Sequence, residues 1–232
     1  MQTYLERDVR AVTGVRDLGT FRRFLGLVAS RIGQTLNKTD LAAPLGVSVP
    51  TIGTWLDVLE VTGQIFLVPP YHSNFGKRLI KSPKLHFADS GLACHLLGIE
   101  TESALGRSPF LGSLFEGFVA AEIAKQQINL GRARELYHFR DQQGLEVDFV
   151  VPFGEARLAL VEAKAAATAR PEMARSVSRL LDAATDRETQ GFLVYRPVGN
   201  EPPFTALCPG IEAVGIEGLL ARLTASRRRS SR

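Results

Sequence analysis

Glu146-Val-Asp148-Phe-Val-Val151, a turn at Pro152-Phe-Gly154-Glu155, then Leu158-Ala-Leu160-Val-Glu162-Ala-Lys164: the reading of this stretch decides the fold. Two short apolar runs separated by Pro and Gly predict a β-hairpin. Into those runs the sequence sets three charges, Asp148, Glu162 and Lys164. A charge in an apolar strand costs free energy unless it is paired, metal-bound or solvated. Alternate residues of a strand share a face, so Glu162 and Lys164 point the same way. A hairpin that sets Asp148 opposite Glu162 brings all three charges to one spot. Two carboxylates there repel each other and invite a divalent cation, while a lysine beside them meets an anionic group. The expectation is a metal-dependent site for phosphodiester cleavage. A one-residue slip in register would abolish it.

Working outward, 232 residues leave room for two small domains or one large one. With 45% hydrophobic and 22% charged residues, the composition is that of an ordinary globular protein. No apolar run is long enough to cross a bilayer and no signal segment opens the sequence, so no membrane partner is expected. Cys94 and Cys208 match no metal or redox spacing and read as reduced thiols of a cytoplasmic protein. The formal charge of +4 points towards nucleic acid only at first sight. Four arginines sit in the last seven residues, Ser226 to Arg232. Without them Lys+Arg falls to 24, equal to the 24 Asp+Glu. The body is neutral, and residues 226–232 read as a basic disordered tail.

Upstream, Phe21, Phe24, Leu25 and Val28 have the spacing of an amphipathic helix, within an N-terminal helical segment over 1–29. Asn37 to Ala43 predicts a short capped helix, Leu45-Gly-Val-Ser48 a turn, and Val49-Pro50 to Glu60 a second helix with Pro in its first turn. That order is a helix-turn-helix. Gln64 to Val68 predicts a strand, and Lys77 to Phe87 the basic return strand of a β-wing. A winged-helix domain is therefore expected over 30–98. Ser48, Thr51 and Thr54 are its candidate base contacts, with Lys77, Arg78 and Lys81 as candidate phosphate contacts. Against DNA reading, the second helix carries Asp57 and Glu60 and no Arg or Lys. A protein-binding role for the same module stays open beside it.

After a loop from Gly98 to Pro109, Leu111 to Lys125 predicts a helix with Glu116 beside its apolar stripe. Strands are expected at 135–139, 146–151, 158–164 and 191–195, a helix from Pro171 to Leu181, a short segment at 213–216 and a last helix at 218–223. The pattern gives a mixed α/β domain over 99–225. Gly76-Lys77 is followed by Arg78 and no Gly stands five residues before Gly76, so the chain holds no phosphate loop and no ATP site.

Glu116, Asp148 and Glu162-Ala-Lys164 resemble the motif of the PD-(D/E)xK nuclease superfamily, the restriction-endonuclease-like fold. A larger resemblance rests on Tyr4-Leu-Glu-Arg-Asp8, Ser82-Pro-Lys84-Leu-His-Phe87-Ala-Asp89-Ser-Gly91-Leu, Gly112-Ser-Leu-Phe-Glu116, and Tyr137-His-Phe-Arg140-Asp with Glu146-Val-Asp148-Phe-Val. These look like the C-terminal domain-of-unknown-function family of bacterial and archaeal AAA-superfamily ATPases. The resemblance implies an ATPase module, missing here or supplied by a partner, and a chain that is either a fragment or a degenerate gene. It also implies Mg²⁺ or Mn²⁺ held by Glu116, Asp148 and Glu162, with Lys164 orienting the attacking water or neutralising phosphate charge. His138 and Arg140 are further candidates for phosphate contact.

Two readings stay open. One is a Mg²⁺-dependent nuclease module guided by a winged helix. The other is an inactive nuclease-like domain, with Lys164 in a structural ion pair, that binds DNA or protein and regulates an ATPase. Oligomers are compatible with either.

Overall fold

The structure, a computed structural model, describes residues 17–71, 81–153, 157–184, 188–197 and 204–225. Within them the fold is mixed α/β, with eight α-helices, two short 3-10 turns, one strand pair and one six-stranded sheet. Two compact units divide it: Met1–Leu67 with Lys84–Leu114, and Val68–Pro83 with Phe115–Arg232. Residues 1–16 of the N-terminal helical segment expected over 1–29 lie outside the described residues, as do Lys77, Arg78 and the tail 226–232. No described helix is long and apolar enough to cross a membrane.

The first unit starts with α1 (Leu18–Ala29), whose cap is Asp17: its carboxylate accepts the Thr20 N–H at 3.1 Å and the Thr20 hydroxyl at 2.6 Å. The predicted stripe is buried, and Phe21 meets Trp55 edge-on at 5.3 Å. Helix α2 (Lys38–Ala42) is capped by Asn37, and α3 (Val49–Val61) by Ser48. Between them Gly46 sits at φ +65°, a left-handed conformation that favours glycine. Strands β1 (Ile65–Val68) and β2 (Lys84–Phe87) pair, and Thr35 bridges Lys84 antiparallel. Among the described residues the return strand begins at Lys84, and Lys81 lies exposed ahead of it. Helix α4 (Ser90–Leu96) follows, capped by Asp89. Part of the expected loop is helix α5 (Glu102–Arg107), begun by a Thr101 side chain that accepts the Ala104 N–H.

The second unit holds most of α6 (Leu111–Asn129), then β3 (Tyr137–Arg140), β4 (Glu146–Phe153), β5 (Arg157–Ala163), a 3-10 turn (Pro171–Ala174), α7 (Arg175–Ala183), β6 (Glu188–Val194), β7 (Phe204–Cys208), β8 (Ile211–Val214) and α8 (Ile216–Ala225). Strand order is β3-β4-β5-β6-β8-β7. The predicted hairpin β4–β5 is antiparallel, and β5–β6 and β6–β8 are parallel. A parallel neighbour needs a crossover, which the 3-10 turn and α7 supply. Both faces of β4 and β5 are buried, so their sequence reads as nearly continuous apolar runs. Val177 and Leu180 of α7 pack with Val150, Leu160 and Leu193 on one face. Gln126 of α6 donates to the Leu220 carbonyl at 2.9 Å and Thr224 Oγ1 at 3.0 Å, tying α6 to α8.

Candidate functional site

The β4–β5 ladder runs through Val150–Leu160 to Phe149–Val161, the last backbone partners at this end of the hairpin. The next step along that register sets Asp148 opposite Glu162, the arrangement the hairpin charges demand. Instead of a main-chain acceptor, the Asp148 side chain meets β5 here: its Oδ2 accepts the Ala163 N–H at 2.9 Å. An aspartate thus satisfies a buried backbone donor where the ladder ends. Two residues on from Glu162, the Lys164 ammonium donates to Glu162 Oε1 at 2.5 Å.

Burial decides the electrostatics. Asp148 and Glu162 are 8% and 7% exposed, whereas the Lys164 side chain keeps 41%. Burial by itself would pull the Lys164 ammonium down. The charges of Glu162 and Asp148, the Glu162 hydrogen bond and the charge of Glu116 outweigh it and hold the ammonium above the ordinary lysine value. All three carboxylates therefore act on one lysine, and Glu116 on α6 belongs to the same field. A carboxylate pair of this kind, all hard oxygen donors, is chemically suited to Mg²⁺ or Mn²⁺. Among the described residues no group of three His, Cys, Asp or Glu side chains is assembled to hold an ion.

His138 and Arg140 do not join this group as expected. His138 is fully buried, and its Nε2 sits 3.2 Å from the Ser82 carbonyl, while its backbone bonds Pro69 and Tyr71. It fastens the segment around Pro70 to the β3 edge and cannot meet a phosphate. Arg140 pairs with Glu146, its partner across the β3–β4 ladder, at 3.5 Å. The missed participant is the Ala163 N–H, a backbone group for which a side-chain pattern carries no signal.

In the first unit, Ser48, Thr51 and Thr54 turn inward on their own helix. Ser48 Oγ accepts the Thr51 N–H at 3.2 Å and lies 2.8 Å from the Thr51 hydroxyl; the Thr54 hydroxyl donates to the Pro50 carbonyl at 3.2 Å. Ser48 thus caps the start of α3, and Thr54 back-bonds to the turn before it. Asp57 and Glu60 stand exposed on the same helix.

With fold and geometry in place, the class is a two-unit mixed α/β protein whose sheet carries a carboxylate–lysine cluster at the end of a hairpin. Residues 1–103 are similar to the domain of unknown function DUF8612, and residues 111–204 to the domain of unknown function DUF4143. Among curated proteins, the chain is 39% identical over 150 residues to uncharacterized protein Rv2008c of Mycobacterium tuberculosis and to uncharacterized protein Mb2031c of Mycobacterium bovis. The alignments cover 64% of this chain and 33% of each relative, so the chain spans about a third of their length. No solved structure matches it.

Proposed function

We propose that the second unit is a PD-(D/E)xK-type nuclease-like domain acting on phosphodiesters, and that the first is a winged helix serving it. One observation carries the reading: just past the Phe149–Val161 pair, Asp148 reaches the β5 backbone at Ala163, next to Glu162, whose carboxylate is ion-paired with Lys164. Mg²⁺ or Mn²⁺ held by Asp148 and Glu162, with Glu116 as the further carboxylate, would supply Lewis acidity at the phosphoryl oxygen. The residues do the rest. Asp148 keeps its orientation through the Ala163 N–H, and Lys164 offers a cation to a phosphate oxygen where charge develops. The match of residues 111–204 to a domain found in ATPase-associated proteins supports pairing with an AAA-type ATPase, in cis or as a partner.

A second reading is favoured by the same hydrogen bonds. With Asp148 bonded to the main chain and Lys164 closed onto Glu162, the cluster serves equally as a structural ion pair in an inactive, regulatory domain. Plasmid and linear DNA incubated with Mg²⁺ or Mn²⁺ separate the two. Cleavage that disappears in Asp148→Ala and in Lys164→Ala supports the nuclease. No cleavage, together with no Mn²⁺ binding by calorimetry, leaves the regulatory module.

A further inference from the structure

The sheet brings one more side chain to this cluster. Along β5 and β6 the parallel register pairs Glu162 with Leu193 and Ala163 with Val194. Past the strand ends the pairing continues one step: the Lys164 N–H donates to the Val194 carbonyl at 2.8 Å, the bond that a parallel ladder makes when Lys164 lies beside Tyr195. After that step the chains part, because the Arg196 N–H reaches on to the Ala166 carbonyl at 2.9 Å. Neighbours in a parallel ladder project from the same face, about 4.8 Å apart. Tyr195 therefore stands on the face that carries Glu162 and Lys164.

On its other flank the Pro197 ring lies close against a glycine. The Tyr195 N–H donates to the Val214 carbonyl at 3.1 Å, which sets Gly215 beside it on the β8 side. Tyr195 is 5% exposed although it follows the last residue of its strand. Lys164, by contrast, keeps 41% of its side chain exposed, with the remainder covered. A lysine of that kind buries its methylene stem against an apolar surface and leaves its head wet. Along its own strand the near neighbour is the Glu162 carboxylate, which cannot cover a stem. The aromatic ring beside it can.

We propose that Tyr195 is a positioning residue of the cluster: its ring walls the Lys164 stem and keeps the ammonium on the carboxylates. This rests on reading the cluster as a functional site, but its geometry is tested without metal or substrate. The experiment is proton–carbon NMR on the full chain with its lysines reductively ¹³C-methylated, the Lys164 signal being assigned by its loss in Lys164→Arg. In the wild type the Lys164 methyls show cross-relaxation to aromatic protons that Tyr195→Phe alters, and they resonate upfield of the other lysines. The upfield displacement persists in Tyr195→Phe and is lost in Tyr195→Leu. A Lys164 signal without aromatic contact in the wild type overturns the proposal, whether or not Tyr195→Leu folds. So does a Phe variant that behaves like the Leu variant. Mn²⁺ calorimetry on the wild type reports separately on the nuclease reading, so the two can fail independently.

Discussion

Asp148 bonds to the backbone of the strand it faces: its Oδ2 takes the Ala163 N–H at 2.9 Å, just past the last backbone pair, Phe149–Val161. One side chain therefore ends a ladder and carries a charge, and the two duties respond differently to substitution. Asp148→Asn keeps an acceptor for the N–H and removes the charge. Asp148→Ala removes both and leaves a buried donor unsatisfied, which costs about 1–3 kcal/mol. Urea denaturation of the two variants checks this, the Asn protein lying closer to wild type. Equal losses would mean that the hydrogen bond contributes nothing and that charge alone stabilises the hairpin end.

A second prediction concerns the seat of the crossover helix. A Cβ on Gly191 would stand 2.7 Å from Val177 Cγ1, 2.8 Å from Ile211 Cγ1 and 3.1 Å from Leu181 Cδ1. Val177 and Ile211 are buried, β-branched and stiff, so neither can step aside cheaply. Gly191→Ala should lose about 1–3 kcal/mol through overpacking, against the usual gain when glycine is replaced by alanine in regular structure. Because α7 sits on β5 and β6, the loss is read as a lower urea midpoint with an unchanged slope. A neutral or stabilised variant would show that α7 packs less closely than described.

These contacts mark what the sequence could and could not reveal. The hairpin was legible because Asp148, Glu162 and Lys164 break two apolar runs, and period-2 alternation then leaves one register that unites them. The helices Lys38–Ala42 and Val49–Val61 and the turn between them were legible from Asn37, Gly46, Ser48 and Pro50, whose conformational demands are local. Strand β7 was missed: Phe204, Thr205 and Ala206 are exposed, so no alternation betrays an edge strand. Helix α5 escaped because one Thr101 cap on six residues is a weak signal. His138 was misread because its setting depends on Pro69, Tyr71 and Ser82, more than fifty residues earlier. Tyr195 became visible only through a parallel register, which joins segments about thirty residues apart and leaves no local periodicity.

The start of α1 supplies a pH dependence. Hydrogen bonds from the Thr20 hydroxyl and backbone hold the Asp17 carboxyl below its ordinary value. Since the folded value is the depressed one, the stabilisation is complete above the unfolded value, about 3.9, and is lost as pH falls through the folded value. Asp17→Ala should lower the urea midpoint at neutral pH, and its gap to wild type should close as the solution is acidified. A gap that stays constant with pH would show that Asp17 acts by shape and not by charge.

Helix α3 and the arginine-rich tail are the two candidate DNA contacts, and salt dependence separates them. Helix α3 presents Asp57 and Glu60 to solvent, and the hydroxyls of Ser48, Thr51 and Thr54 are engaged within the helix start. A phosphate backbone meets two like charges there. Residues 226–232 carry four arginines and no acidic residue. Each phosphate neutralised on duplex DNA contributes close to 0.9 to the salt slope, so deleting the tail should flatten the slope by roughly three to four and remove most non-specific binding. Fluorescence anisotropy with a labelled duplex, across a salt series, measures both proteins. If the tail-less chain still binds with a steep slope, the cations lie on the folded body, and the acidic face of α3 does not govern its approach to DNA.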